Sequence, residues 1–540
     1  MIKNVYILLF SLLAIPLFSF GQNPGSLDLS FNQTGIVNFT YQGRETSFLK
    51  IKLQPDGKIL AVGYTTDSTG YPPLALIARF NADGTPDTDF ADDGFFILEP
   101  NSQWGYSIGT DIFLMDNGSI QVVADEAWSN YFLFFRLKIN GDLDLTYGQN
   151  GMVRTGFQFD TYSPVPRKMI VQPDGKMVVV GSYIDYISGQ GDVSRGLVVR
   201  FNPDGTFDQT FGGTGYMKII PSAENKTVHI NGGAVLPDGK ILVGCGIGST
   251  QYDAVWQVNR YLPNGELDAS FGTGGVVNYQ VGTQFWEAIN DILVYPDGKF
   301  IAAGYGQKLP GFHFTMVRFL PNGSVDNSFG LGGKSQVTFD CCYSDIFDLT
   351  FQNDGKIVAC GYSSEDNDLL NFSLARFKAN GLVDQEFGDE GKVVLTFNHQ
   401  GSSQRALSVL IQPDGKILAA GYTDTLGYAV SGVIVRLHAS SMVNTYMPEK
   451  IDVELQAGPN PISGNQLWLS YSLDQSAEVS MTLTDLSGRR VIHFIQGETR
   501  SEGSHRELFV IPENLIPGYY QLTLSTKAGS QSVGIVKPAE

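Results

Sequence analysis

The chain has 540 residues, 62 of them glycine, and a formal net charge of −19. That charge excludes nucleic acid or an anionic membrane as the broad partner, since either selects a basic surface. Four cysteines are too few for a disulfide scaffold, and glycine-rich turns punctuating short apolar runs point to a turn-dense β protein.

Residues 1–21 have the form of a secretory signal peptide. Lys3 supplies the positive start, residues 5–20 the apolar run, and Ser19-Phe20-Gly21 the small-residue end. The run is short for a membrane span and no second one follows, so the mature chain is expected to have no transmembrane segment. No cysteine stands at the cleavage point to carry a lipid. The mature protein is expected to leave the cytoplasm.

Residues 22–440 repeat. Gln54-Pro55-Asp56-Gly57-Lys58 recurs at residues 172–176, 236–240, 295–299 and 412–416, with looser copies at 115–119 and 352–356. The glycines of the turns, at 57, 118, 175, 239, 298, 355 and 415, lie 57 to 64 residues apart. Self-similarity at one period decides the architecture. Pro presets the first corner, Asp bonds its own backbone and Gly takes the left-handed position, so each copy predicts a β-hairpin turn. Before it Leu49, Ile51 and Leu53 alternate with Lys50 and Lys52; after it comes the more apolar 59–62. A third run, 74–80, stops at a second Asp-Gly turn, and a fourth lies near 94–98. Four strands in about sixty residues, with no helical periodicity, predict a small antiparallel sheet that needs neighbours to bury both faces.

A Leu-Asp-x-x-Phe segment follows the second turn in six copies, from residues 86–90 to 383–387. The missing one stands at the other end, as Leu27-Asp28-Leu29-Ser30-Phe31 followed by residues 35–39. The N-terminal strand is therefore expected to complete the last sheet beside residues 433–436, leaving no free edge. The predicted fold is all-β: a seven-bladed β-propeller closed by an N-terminal strand, then a small C-terminal Ig-like β-sandwich.

One arginine ends each third strand, Arg79, Arg136, Arg200, Arg260, Arg318, Arg376 and Arg436, with an aspartate eight residues on where the repeat is intact. An anion-binding ring is one use. A structural one fits repetition better: an Arg fork stapled to a carboxylate, as Arg79 to Asp87 and, across the closure, Arg436 to Asp28. Asp87, Asp89, Asp92 and Asp93 raise the question of calcium, but no ligand loop with a closing Glu is present, and no cofactor or other metal is expected. Gly105-Tyr106-Ser107-Ile108-Gly109 matches a nucleophile elbow without the helix that motif needs. The histidines, His229 and His399 among them, show no ligand pairing. Cys245 and Cys360 are expected buried, and Cys341-Cys342 is either a vicinal disulfide or two thiols.

The loops between second and third strands vary most. They and the connectors into the next first strand carry Tyr71, Trp104, Trp128, Tyr131, Tyr183, Tyr186, Tyr252, Trp286, Phe312 and Tyr428. Loops on a rigid scaffold are where binding residues sit, and aromatics suit sugar rings or a protein surface. The alternative is that they pack their own loops.

The period stops near residue 440. After a linker, 441–455, residues 456–540 show strands at 467–471, 479–483, 491–494, 508–510 and 519–524, the spacing of a small β-sandwich. With the Pro-Asp-Gly-Lys turn, the Arg-Phe-Asn-x-Asp-Gly turn and the Leu-Asp-x-x-Phe-Gly segment in view, residues 25–440 resemble the delta-60 repeat family of bacterial surface and secreted proteins. Asn460-Pro461, the 467–471 strand, Asp485 to Arg489 with Gly488, Gly518-Tyr519-Tyr520 and residues 533–537 resemble the type A sorting domain of the type IX secretion system of the Bacteroidetes. The final residues 538–540 run slightly past the usual basic finish. This second resemblance implies that Sec carries the chain to the periplasm, that residues 456–540 engage the type IX machinery, and that Gly488, Arg489 and Gly518 serve recognition or turn geometry. The expected location is secreted or on the outer-membrane surface. The expected role is binding of a glycan or surface protein; the rival is a polysaccharide- or peptide-active hydrolase with acids at the channel. The sequence itself places no acid/base set together.

Overall fold

The computed structural model describes residues 23–537 except 67–71, 92, 101–104, 127–128, 158–161, 173, 189–190, 222–225, 249–253, 283–286, 309–310, 340–342, 365–368, 398–401, 426–427, 441–448, 451–454, 459–461, 463, 486–489, 513–514, 516–517 and 527–528. Among the described residues there is no helix, and so none long and apolar enough to cross a membrane. Residues 24–440 form one compact unit and the residues from 441 belong to another.

Turn chemistry builds the first unit. Strands Thr46–Leu53, Ile59–Thr66, Pro73–Phe80 and Phe95–Ile97 form an antiparallel sheet in that order. Its first hairpin closes where the Gly57 N–H donates to the Gln54 carbonyl at 2.9 Å and the Lys58 N–H to Asp56 Oδ1 at 3.1 Å. Gly57 stands at φ +85°, the left-handed position a three-residue hairpin loop requires. The same carbonyl closure recurs at Gly118, Gly175, Gly239, Gly298, Gly355 and Gly415. Sheets of the same order begin at Ser107–Leu114, Tyr162–Val171, Thr227–Val235, Ala288–Val294 and Tyr343–Phe351, the last two joined by one parallel bridge, Phe312 to Tyr343. A further sheet runs Ile36–Phe39, Tyr428–Leu437, Ile417–Thr425, Ser402–Ile411, with Ile36 opposite Val435 and Asn38 opposite Val433.

Two devices tie one repeat to the next. The aromatic of the Leu-Asp-x-x-Phe segment lies against the glycine of the following repeat's Asp-Gly or Asn-Gly turn: Phe31 on Gly84, Phe90 on Gly141, Phe271 on Gly323, Phe329 on Gly381. A Cβ at any of these glycines would overlap the ring. The staple is the second. Arg79 Nε donates to Asp87 Oδ2 at 2.5 Å while its Nη1 reaches the Ile139 carbonyl of the next repeat, and its guanidinium lies 4.5 Å from the centre of the Phe90 ring. Arg436 does the same with Asp28 at 2.7 Å, the Ala82 carbonyl and Phe31. Lysines of the hairpin turns add a second cation to the aspartates: Lys58 to Asp87 at 2.7 Å and Lys416 to Asp28 at 3.0 Å. Arg136 departs from the pattern. It donates to Gln121 and to the Pro203 carbonyl, while Asp144 is bonded by Thr146.

In the C-terminal unit Ala477–Asp485, Arg490–Arg500, Gly518–Ser525 and Gly529–Lys537, with Glu449–Lys450, form one sheet. Gln456–Gly458, Gln466–Leu473 and Gly503–Val510 form another, and both contribute to one core through Leu467, Leu469, Met481, Leu483, Leu522 and Leu524. Tyr520 is buried opposite Asp485, and Gly518 pairs with Lys537. Asn460, Pro461, Gly488 and Arg489 lie outside the described residues.

These ties predict stability. Asp28→Ala strands the buried Arg436 and is expected to cost about 3–5 kcal/mol, against about 1 kcal/mol for Asp144→Ala, read from denaturant unfolding of the full chain. Burial pushes the Asp28, Asp208 and Asp268 carboxyls up, but hydroxyls two residues on and the Lys and Arg partners outweigh it, leaving Asp268 at about 2 and the others lower. Depressed carboxyls stabilise the fold above their unfolded value, so stability is expected to hold from pH 8 to about 4 and to fall toward pH 2. Ala91 stands at φ +49° where Gly148, Gly212, Gly272, Gly330 and Gly388 occupy the matching place, so Ala91→Gly is expected to stabilise by up to about 1 kcal/mol.

Candidate functional site

Each first strand of residues 24–440 carries one residue more than its partner can pair. The register shifts fall between Phe48 and Lys50, Gly109 and Asp111, Pro166 and Lys168, Ile230 and Gly232, Ile289 and Asp291, Ile346 and Asp348, and Ala406 and Ser408. A bulge twists the strand and re-aims the side chains beside it. First strands of consecutive sheets pack side by side, and Thr46–Leu53 also packs beside Ser402–Ile411, so they face a common interior, here called the channel. The bulges set Lys50, Asp111, Lys168, Gly232, Asp291, Asp348 and Ser408 at one level of it.

These residues form a compensated layer. Lys50 Nζ lies 3.1 Å from Asp348, and Lys168 is ion-paired with Asp291. Each lysine reaches past one sheet, and the skipped sheets carry the small residues, Ser408 and Gly232. The carboxylates also hold backbone N–H groups of the following sheet: Met169 donates to Asp111 at 2.9 Å and Val409 to Asp348 at 2.9 Å, while Ile51 donates to the Ser408 hydroxyl at 3.3 Å. Burial would raise Asp348, but the charges of Lys50 and Lys168 outweigh it and hold it at about 2. Burial pushes Asp291 the other way, upward, with the Lys168 charge opposing. The two ion pairs bar the channel.

Beside this layer lies a cavity of about 580 Å³. Arg167, Lys168, Asp291 and Asn290 line it together with His229, Asn231 and Ser182, and Leu49, Phe347 and Leu407 give it an apolar side. Ser182 comes from the later half of Met177–Ile187 and Ser194 from the early half of Gly191–Phe201, so the cavity sits toward the variable loops. A relay runs along one wall: Asn231 donates to Asn290 at 2.9 Å, and Asn290 donates to Asp345 at 2.8 Å. Burial holds the Asp345 carboxyl well above its ordinary range, against that hydrogen bond and the Arg405 charge. Burial pushes Asp125 up to about 6, with Arg167 opposing. Burial and then the Arg167 charge lower His229, which stays neutral at pH 7.

The aromatics proposed from sequence are placed variously. Tyr186 is exposed, Tyr183 is buried with Lys218 above its ring, and Tyr131 lies under Arg154, 4.0 Å from ring centre to guanidinium. Phe312 packs on Tyr305 and Tyr343. Tyr71, Trp104, Trp128, Tyr252 and Trp286 lie outside the described residues, as do Asp92, His399, Cys341 and Cys342, and nothing is described of the Tyr428 side chain. Cys245 and Cys360 are buried and unbridged. Asp87 is occupied by Arg79 and Lys58, and Ser107 of the elbow-like pentapeptide starts a strand. Sequence reasoning missed the channel acids. Their one trace was polar residues inside otherwise apolar first strands, such as Asp111 and Asp348.

Six stretches, residues 54–90, 172–211, 236–271, 296–329, 352–387 and 412–445, match the family model described as "Domain of unknown function (DUF5122) beta-propeller". The chain is an all-β, β-propeller repeat protein. Among curated proteins none matches it. Similar solved structures include a protein of unknown function from Dyadobacter fermentans, at 10% identity and TM-score 0.39, covering 75% of this chain and 100% of that one. The polysaccharide lyase Uly1 is similar at 10% identity and TM-score 0.41, covering 78% and 97%. The β-propeller domain of the trilobed protease of Pyrococcus furiosus is similar at 8% identity and TM-score 0.34, covering 71% and 93%. At these scores they assign neither ligand nor reaction to this chain.

The ionic layer makes a prediction of its own. Asp348→Leu leaves Lys50 buried without its counter-charge and is expected to cost about 3–5 kcal/mol, and adding Lys50→Met is expected to recover most of that. Unfolding midpoints of the single and double variants decide it; a double variant as weak as the single refutes the pairing.

Proposed function

We propose that this is a secreted or outer-membrane-surface binding protein. Its delta-60 repeats form a seven-bladed propeller closed by the strand Ile36–Phe39, which presents a ligand site at the variable-loop end of its channel. The Ile36–Val435 register and the reach of Arg436 to Ala82 support closure. The two sheets around one core from Leu455 to Ile535 support an Ig-like C-terminal domain, which we assign as the type IX sorting module acting after signal peptide 1–21. The binding role is carried by the cavity, where charged and amide side chains from different sheets converge beside an apolar wall, as ligand pockets do. A second reading, a polysaccharide or peptide hydrolase, is favoured by one observation: Asp125 and Asp345 keep their protons toward neutral pH, as general acids do.

Glycan-array binding of the purified propeller tests the role; it is expected to weaken in Trp128→Ala and Trp286→Ala. Cleavage of a bound glycan that stops in Asp125→Asn would make the protein an enzyme. Export is tested by following the chain with and without residues 456–540, and continued passage to the cell surface without them removes the sorting assignment.

A further inference from the structure

We propose that the channel cavity is a subsite for the carboxylate of an acidic sugar residue, with Arg167 as the group that binds it. This deepens the binding role above and rests on it. At the first bulge position the other sheets carry Leu49, Thr110, Asn231, Asn290, Phe347 and Leu407, all uncharged; Tyr162–Val171 alone places a guanidinium there.

Of the other cations near this level, Arg405 stacks on the Tyr362 ring and its charge acts on Asp345, and the rest are occupied. Lys50 and Lys168 are paired with Asp348 and Asp291, and the seven repeat arginines are taken up by turn-side contacts such as those of Arg79 and Arg136. Arg167 makes no hydrogen bond and no ion pair among the described residues. It is open to water in the lumen yet enclosed by protein for most of its surroundings. Such a guanidinium offers a planar carboxylate two parallel N–H donors.

The surroundings select a sugar. The Ser182 hydroxyl and the Asn231 carbonyl oxygen line the same cavity without a protein partner among the described residues, and His229 stands beside them as a neutral ring. Such groups match sugar hydroxyls, while Leu49 and Phe347 offer an apolar wall to a ring face. A volume of about 580 Å³ is that of a small-ligand site. The chain's net charge of −19 disfavours a long polyanion.

Asp125 is the competitor. It is the carboxylate whose charge Arg167 feels, while its neighbour Glu126 is bound by Arg154. As pH falls through about 6 Asp125 takes a proton and loses its hold on Arg167, whereas burial and the Arg167 charge disfavour a proton on His229 and a sugar carboxylate stays charged. Asp291 faces Lys168 throughout. Binding is therefore expected to strengthen from pH 7.5 to pH 5.5.

The test is calorimetric titration of the full chain with glucuronate and, as its neutral counterpart, glucose. Glucuronate is expected to bind at least about tenfold tighter than glucose, Arg167→Gln to lose about tenfold or more, and Asp125→Asn to bind at pH 7.5 as wild type does at pH 5.5. Equal binding of the two sugars, no binding of glucuronate, or full affinity in a folded Arg167→Gln overturns the subsite. If Arg167→Gln fails to fold, the glucuronate–glucose contrast and its pH dependence decide alone. Neutral glycans on an array that bind regardless of Arg167 would remove the subsite and leave the binding role; an array with no binder removes the role itself.

Discussion

One extra residue in each first strand governs the interior of this protein. An antiparallel pair cannot accommodate it without displacing a carbonyl and freeing an N–H. The displaced carbonyl needs room, and in five sheets a glycine stands opposite, with Ala124 and Cys245 in the other two: at Gly361 a Cβ would overlap the Asp345 carbonyl oxygen, and at Gly421 that of Arg405. The N–H of the residue after the bulge needs an acceptor. It finds one on the preceding sheet, as Met169 does on Asp111, Val409 on Asp348 and Ile51 on Ser408. Buried polar groups are tolerated where each has a partner, so the defect in pairing becomes the reason for polar side chains in the channel. The Ser408–Ile51 bond joins the last first strand to the first by the same rule.

The two ends of the repeat obey different constraints. On the turn side every sheet must clasp the next, and the chemistry recurs: Asp between Arg and Lys at five positions of seven, and an aromatic on glycine. Repetition there means mechanical linkage. At the bulge level the sheets differ, because a ring of seven like charges would be intolerable in a low-dielectric space. Lysines at two positions, carboxylates at three and small residues at two allow the long side chains to cross to a partner two sheets away. The variation is the mark of a site assembled once rather than many times.

What the sequence made legible was local. A Pro-Asp-Gly turn, an Arg eight residues before an Asp, and a segment missing at one end and present at the other are all visible within a window, and the strands, staples and Ile36–Val435 pairing lie where that pattern placed them. The bulge is not visible in that way. It needs no special residue of its own, and its sign, in five sheets of seven, is a glycine fourteen residues further on, across the hairpin. Nor could alternation place Lys50 beside Asp348, since that contact spans nearly three hundred residues of sequence and depends on Ser408 being small. Arg136 shows the opposite error: the spacing was intact, but the turn-side lysine is Ser119 there and the guanidinium turns to Gln121.

Charge balance connects the interior to its use. The barred layer holds Asp111, Asp291 and Asp348 against Lys50 and Lys168, one carboxylate more than cations. Burial pushes Asp291 up while the lysine charges hold Asp348 down, so the extra carboxylate weighs on Asp291, which Lys168 faces. Had the layer needed a third cation, Arg167, the next residue to Lys168, was within its reach. It faces the lumen instead, with only the reluctantly ionised Asp125 to oppose it. The bar thus does two things at once: it satisfies the bulges beside it, and it leaves Arg167 without a hydrogen-bond partner among the described residues, open to the acidic ligand we propose.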